Sequence, residues 1–120
     1  MGLLGKAIAR SGTDNTGVRP ADIQAGIKDF HQKNPLFHCV ILQFGDSQRQ
    51  GLSDIAVMTA SYGAVCCGLH GKNGLVLLPG QLDMELFSHR LSKSTGSTVL
   101  FQFSASSSSL AFETLIPYLQ

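Results

Sequence analysis

Residues 63–80, GAVCCGLHGKNGLVLLPG, form the clearest local pattern in the chain and decide the fold. Two short apolar segments, 64–69 and 75–78, flank the polar stretch HGKNG. The pair Asn73-Gly74 is typical of a tight turn, because both residue types accept positive φ angles. The stretch therefore predicts an antiparallel β-hairpin that turns at Asn73-Gly74.

Upstream of the hairpin, the pattern predicts a helix followed by a buried strand. The helix begins at Pro20, carries Asp22 in its first turn, and ends before the dipeptide Asn34-Pro35. Residues 36–44, LFHCVILQF, are apolar at nearly every position. Such a run is typical of a central strand that is covered on both faces.

A second helix is predicted between this strand and the hairpin. We expect the stretch GDSQRQG to be a loop and Ser53 to be the N-cap of the helix. Leu52 and Val57 have the spacing of a hydrophobic staple across that N-terminus. Gly63 follows the last turn, where glycine commonly ends a helix.

Downstream of the hairpin, we expect a third helix, a strand and a last helix. Asp83 caps the third helix and Gly96 closes it. Residues 98–103, TVLFQF, alternate enough for a strand, and the last helix starts at about Leu110 and is kinked or shortened by Pro117. The buried face of the third helix is assigned to Leu82, Leu86, Phe87 and Leu91.

The element order predicts an α+β fold. The central β-α-β-β-α-β elements match a ferredoxin-like fold, a four-stranded antiparallel sheet with the first and third strands adjacent and helices on one face. The N-terminal and C-terminal helices are additions that compete for the other face or for an edge. A profilin-like (Roadblock or longin) α/β platform is the alternative, with an early hairpin and three late strands. We expect 1–19 to be a flexible N-terminal segment or linker and 20–120 to be a single domain.

Composition excludes several classes of partner. The formal net charge is +1, 14% of the residues are charged, and Lys and Arg form no run. We therefore expect no nucleic-acid partner, and no membrane span, because no apolar run approaches the roughly 18 residues that a span needs. The odd count of cysteines, Cys39, Cys66 and Cys67, is typical of free thiols in a reducing compartment, which favours a cytoplasmic location.

Metal and nucleophile chemistry have little support in the sequence. Cys66 and Cys67 are neighbours in a strand and point to opposite faces, so they do not share a metal. The four histidines lack the spacing of metal ligands, and each is interpreted as a satisfied or exposed side chain. We expect neither a catalytic residue nor a metal ligand, and no cofactor.

The stretch from Gly63 to Leu91, GAVCCGLHGKNGLVLLPGQLDMELFSHRL, resembles the GGDEF domains of the nucleotidyl-cyclase group, and the likeness extends over about 36–104. That resemblance implies a metal site with acidic residues at the end of the first strand and in the hairpin. In this chain Gln43 is nearest the first position, and the hairpin has Lys72 and Asn73 where acids are needed. The resemblance therefore implies a degenerate GGDEF-like domain that does not catalyse.

Three functions follow as hypotheses. The first is a non-catalytic regulatory or protein-interaction domain of a signalling system, which binds a protein partner or self-associates through strand 98–103 or 75–78 at a sheet edge. The second is a sensor that binds a nucleotide-like or other anionic small molecule at His70, Lys72 and Asn73. The third is a residual cyclase-type enzyme that takes its acids from elsewhere, such as Asp46 and Asp54.

Overall fold

The structure is a computed structural model that describes residues 19–45 and 47–119. The predicted linker therefore lies outside the described residues except for Arg19, and Asp46 lies outside them as well. The helices are α1 (Pro20–Lys33), α2 (Gln48–Thr59), α3 (Met84–Thr95) and α4 (Ser108–Leu115). The strands are β1 (Phe37–Gln43), β2 (Val65–Gly68), β3 (Asn73–Pro79) and β4 (Thr98–Ala105). Single 3₁₀ turns, Ala60–Tyr62 and Ile116–Tyr118, follow α2 and α4.

The four strands form one antiparallel sheet in the order β2-β3-β1-β4. β1 pairs with β3 from Phe37 opposite Pro79 to Gln43 opposite Asn73, so the first and third strands are adjacent, as predicted. The α+β class is confirmed, and the architecture is compatible with a ferredoxin-like fold. The profilin-like order, with three late strands, is not the observed one.

Helices cover both faces of the sheet. Along β1, Phe37, Cys39 and Ile41 pack with α1 and α4, whereas Val40 and Leu42 pack with α2 and α3. All five of these side chains have an exposed fraction of 0%, which confirms the prediction of a central strand covered on both faces. The two terminal helices therefore share the second face of the sheet, and they pack against each other there.

The start of α2 differs from the prediction. Ser47, not Ser53, is the N-cap, and its Oγ accepts a hydrogen bond from the Gln50 backbone N–H at 3.2 Å. Val57 is 77% exposed, so the predicted hydrophobic staple is wrong. The helix continues through Gly51, where glycine is needed for space, because an added Cβ would clash with the Phe44 ring.

The hairpin pairs as predicted but turns at a different place. Segments 64–69 and 75–78 contain strands that pair from Val65 opposite Leu77 to Gly68 opposite Gly74. The positive φ angle of the turn, +69°, belongs to Gly71. Asn73 and Gly74 instead begin β3, so the predicted turn at these two residues is wrong. Gly74 is needed for space, since a Cβ there would lie 2.7 Å from the Phe44 ring.

The caps of α3 agree with the prediction. The Asp83 side chain accepts from the Leu86 N–H at 3.0 Å, and Gly96 ends the helix with a φ of +66°. Leu86 itself is 45% exposed, so its assignment to the buried face is wrong. It occupies the third position after the cap, on the solvent side of the first turn.

The last helix starts earlier than predicted. Ser107 is its N-cap and accepts from the Leu110 N–H, which places the start at Ser108. The α-helix ends at Leu115, and Pro117 lies in the following 3₁₀ turn, so the predicted shortening is confirmed. In the part of the chain that the structure describes, no helix has the length and apolar character to cross a membrane.

Candidate functional site

The three predicted ligand residues, His70, Lys72 and Asn73, lie together at the hairpin. Lys72 is held there by two contacts with the segment after β1: its Nζ donates to the Gly45 carbonyl at 3.4 Å, and its own carbonyl accepts from the Phe44 N–H at 2.8 Å. The lysine thus connects the hairpin to the segment that leads into α2.

Gln48 closes the hairpin from the first turn of α2. Its Nε2 donates to the carbonyl of Leu69 at 2.7 Å and to that of Asn73 at 2.6 Å. The Leu69 N–H donates to the same Asn73 carbonyl at 2.9 Å. One amide group therefore holds both ends of the turn, and it leaves the side chains of His70 and Lys72 toward solvent.

Asn73 has one unsatisfied atom. Its side-chain Oδ1 is buried and accepts no hydrogen bond from any described residue. Asn73 pairs with Gln43, whose side chain is exposed at the end of β1. A buried carbonyl oxygen without a donor is costly, and this atom is the local feature that most favours a bound group at the hairpin.

His38 is a satisfied structural histidine and is only 8% exposed. Its Nε2 lies 2.9 Å from the Leu82 carbonyl and 3.2 Å from the Gly80 carbonyl, so this nitrogen carries the proton and donates it. The Ser104 hydroxyl lies 2.7 Å from Nδ1 and donates to it when the imidazole is neutral. The sheet register separates His38 from the hairpin by the length of β1, about 17 Å, so it does not meet His70.

The three cysteines are buried as predicted, and Cys66 and Cys67 lie on opposite faces of the sheet. Burial raises the pKa of the Cys39 thiol to about 12 and that of Cys66 to about 11. Burial, and then the neighbouring Cys66, raises the pKa of Cys67 still further. These thiols are therefore neutral and unreactive at physiological pH. Among the described residues, no group of three His, Cys, Asp or Glu side chains could hold a metal ion.

β4 forms one edge of the sheet, whereas segment 75–78 lies inside it as part of β3. Within the described residues β4 pairs with β1 alone, so its outer backbone groups face away from the sheet. Leu100 and Phe101 are each 38% exposed. Phe101 lies 5.4 Å from Phe103 and stacks on Tyr118 at 6.1 Å between ring centroids. An uncharged strand with an aromatic cluster beside it thus borders solvent.

The start of α2 had a signal in the sequence that the predictions did not use. Ser47 and Gln50 have the spacing of a capping box, which marks the true start of α2. The double role of Gln48 had none, because its contacts span more than 20 residues of sequence.

No family model, curated protein or solved structure matches this chain. The site is therefore interpreted from its own geometry.

Proposed function

We propose that this domain is a non-catalytic protein-interaction module with a regulatory role, and that the outer edge of β4 is its contact surface. The observation that carries the proposal is an eight-residue edge strand, Thr98–Ala105, without a charged residue or proline. Folded proteins usually protect such an edge with lysine, proline or a covering element. From Phe101 to Ala105, beyond the register shift at Leu100, the edge has none of these devices within the described residues, and such an edge with exposed apolar side chains is the surface to which another strand adds.

The residues at the hairpin support a non-catalytic role. Magnesium bound to phosphates prefers carboxylate ligands. Lys72 brings a positive charge to this position, and Gln43 and Asn73 bring neutral amides. Lys72 and Gln48 make structural contacts there, with the carbonyls of Gly45 and of the turn.

The proposal is tested by affinity capture with three baits: the full chain, its Phe101→Lys variant and its Val57→Lys variant. Phe101 is on the β4 edge, whereas Val57 is an apolar residue on α2 that is more exposed, 77% against 38%. A protein captured by the full chain and by Val57→Lys, but not by Phe101→Lys, is the expected result. Equal capture by all three baits contradicts a role for β4.

A second candidate function is favoured by the unsatisfied Oδ1 of Asn73. In this alternative the hairpin binds an anionic small molecule: Lys72 contacts the charge, and the turn opens so that the buried Asn73 Oδ1 accepts a hydrogen bond from the ligand. Thermal-shift measurements with nucleoside mono-, di- and triphosphates test it. A ligand at a hundredfold excess over its Kd stabilises the fold by about 2.7 kcal/mol, and Lys72→Ala should remove the shift. The absence of any shift contradicts this candidate.

A further inference from the structure

We infer that the partner of β4 is the β4 strand of a second copy of this chain, paired antiparallel about a twofold axis at Phe103. The two sheets then form one continuous eight-stranded sheet. The inference rests on the proposed function, because it names the partner that the β4 edge receives.

The regular part of β4 is its second half. The register between β1 and β4 shifts between Ile41 and Leu42, and this shift leaves Leu100 without an opposite residue. From Phe101 to Ala105 the pairing with β1 is regular. These five residues therefore present a regular outer edge without a bulge, to which a strand can add.

The faces of this stretch follow from its register. Phe101, Phe103 and Ala105 are opposite Ile41, Cys39 and Phe37, which belong to the face under α1 and α4. Gln102 and Ser104 lie on the other face, where Gln102 contacts Ser88 and Ser104 contacts His38. A twofold axis perpendicular to the sheet keeps every side chain on its own face. With the axis at Phe103, Phe101 is opposite the second copy's Ala105, and Gln102 is opposite the second copy's Ser104.

On the first face, this register places a large side chain opposite a small one on either side of the axis. Each Phe101 ring lies beside an alanine of the other copy, and the two Phe103 rings meet at the axis. The cluster of Phe101, Phe103 and Tyr118 in one copy then joins the same cluster in the other. Aromatic cross-strand pairs of this kind stabilise sheets.

The second face matches hydrogen-bond donors with acceptors. The Gln102 amide contacts the Ser88 hydroxyl, and in either orientation of the amide at least one of its two N–H groups remains to donate. The Ser104 oxygen has two lone pairs, so one remains to accept beside its contact with His38 Nδ1. Gln102 of one copy can therefore donate to Ser104 of the other without breaking either existing contact.

The charge distribution also favours a second copy. No charged residue occurs over 94–112, and the net charge of the chain is +1. Two β4 edges thus meet without repulsion, whereas a charged peptide strand would place its charges beside the aromatic cluster. Five paired residues bury less than the roughly 1,200–2,000 Å² of a standard stable interface, so we expect a micromolar dimer.

Sedimentation velocity of the full chain from about 1 to about 200 µM tests the inference. The expected result is a monomer–dimer equilibrium that Phe101→Lys abolishes and Val57→Lys leaves unchanged. Circular dichroism and thermal melting confirm that both variants fold. A full chain that stays monomeric over this range overturns the inference, and so does a dimer that persists in Phe101→Lys.

A size swap tests the register, with circular dichroism and thermal melting of each variant to confirm that it folds. Phe101→Ala leaves alanine opposite alanine and should weaken dimerisation at least about tenfold, because an apolar cross-strand contact is lost. Ala105→Phe should weaken it by a similar factor, because a further large ring is crowded into the space that Phe101 and the Phe103 pair already fill. The double variant restores the opposition of large and small and should recover most of the affinity. Failure of the double variant to recover it overturns the register at Phe103.

Two results separate this inference from the proposed function. A monomeric full chain whose capture of another protein still depends on Phe101 overturns self-pairing and keeps the interaction role. Dimerisation that occurs only after deletion of 1–18 shows that this segment of the same chain occupies β4, and it overturns self-pairing in the full chain.

Discussion

The two edges of the sheet differ in length, in burial and in what borders them. β2 has four residues, two of which are the buried Cys66 and Cys67. β4 has eight residues, and none of them is fully buried. α2 packs on β2, where the Cys66 thiol donates to the Leu52 carbonyl at 3.7 Å. Within the described residues, β4 pairs on one side only, with β1.

This difference shows that one sheet can protect its two edges to different degrees. A short strand under a helix offers few free backbone groups, so the β2 edge contributes to folding. The β4 edge contributes less packing and retains free hydrogen-bonding groups. Changes on the β2 side should therefore alter stability, whereas changes on the β4 side should mainly alter association.

The largest expected effect is a loss of stability at alkaline pH. It concerns the β2 side of the sheet, because two of the three thiols are in β2 and none is in β4. Burial raises the folded-state pKa of each thiol above its unfolded value near 8.5. Stability is thus fully present below about pH 8 and is lost as the pH rises toward the folded-state values, since only the unfolded chain releases the protons. Each thiol should cost about 1.5–2 kcal/mol between about pH 8 and about pH 10, or about 5 kcal/mol together.

Urea unfolding at the two pH values measures this loss. In the Cys66→Ala, Cys67→Ala double variant, only Cys39 remains, and the loss should shrink to about a third. An unchanged loss in the double variant would show that other groups cause it.

The next effect is steric, at the Phe44 ring beneath the hairpin. Gly74→Val should reduce the free energy of unfolding by about 2–3 kcal/mol, because its first carbon already lies within contact distance of Phe44 and Leu52. Gly71→Ala is the matched control: it has no neighbour within 4 Å and should cost about 1 kcal/mol through its positive φ angle alone. Equal costs at the two glycines would contradict the steric explanation.

A smaller effect is expected at Gln48, which joins α2 to the hairpin. Gln48→Ala should cost about 1–2 kcal/mol, since two carbonyl groups lose their shared donor. Gln50→Ala, two residues away in α2, removes only an exposed contact with Asp54 and should cost less than about 0.5 kcal/mol. Chemical denaturation of both variants provides the comparison, and a reversed order would contradict it.

The smallest effect on folding is expected on the β4 edge. Leu100→Lys should change the free energy of unfolding of the monomer by no more than about 0.5 kcal/mol, because the side chain is partly exposed and has no opposite residue in β1. Unfolding at a concentration below that of dimerisation measures it. A cost above about 1.5 kcal/mol would show that β4 is as tightly packed as β2.

The sequence predicted the elements of the fold better than it predicted their starts. The run at 36–44, the cap at Asp83 and the end at Gly96 act locally, and the structure confirms all three. The misplaced features, the start of α2 and the turn of the hairpin, both depend on Phe44. Its ring leaves no room for a side chain at Gly51 and Gly74. In the sequence, a glycine needed for space cannot be distinguished from a glycine needed for a turn.

The candidate sites were only partly predictable for a related reason. The grouping of His70, Lys72 and Asn73 followed from their adjacency in the chain, and their ligand role stays a prediction. The apolar character of the two candidate strands did not distinguish them, whereas the predicted adjacency of the first and third strands places 75–78 inside the sheet and leaves β4 at an edge. Their difference lies in strand order, which arises from contacts between distant segments.

The shared layer of α1 and α4 sets an order of events during synthesis. Ile23 and Ile27 of α1 complete the same apolar cluster as Ala111 and Leu115 of α4, at the far end of the described chain. When a ribosome has released the chain only as far as residue 100, α1 is the one helix available to cover the face that carries Phe37 and Ile41. Until α4 emerges, the nascent chain carries that face half-covered, and it is during this interval that we expect chaperones to bind it.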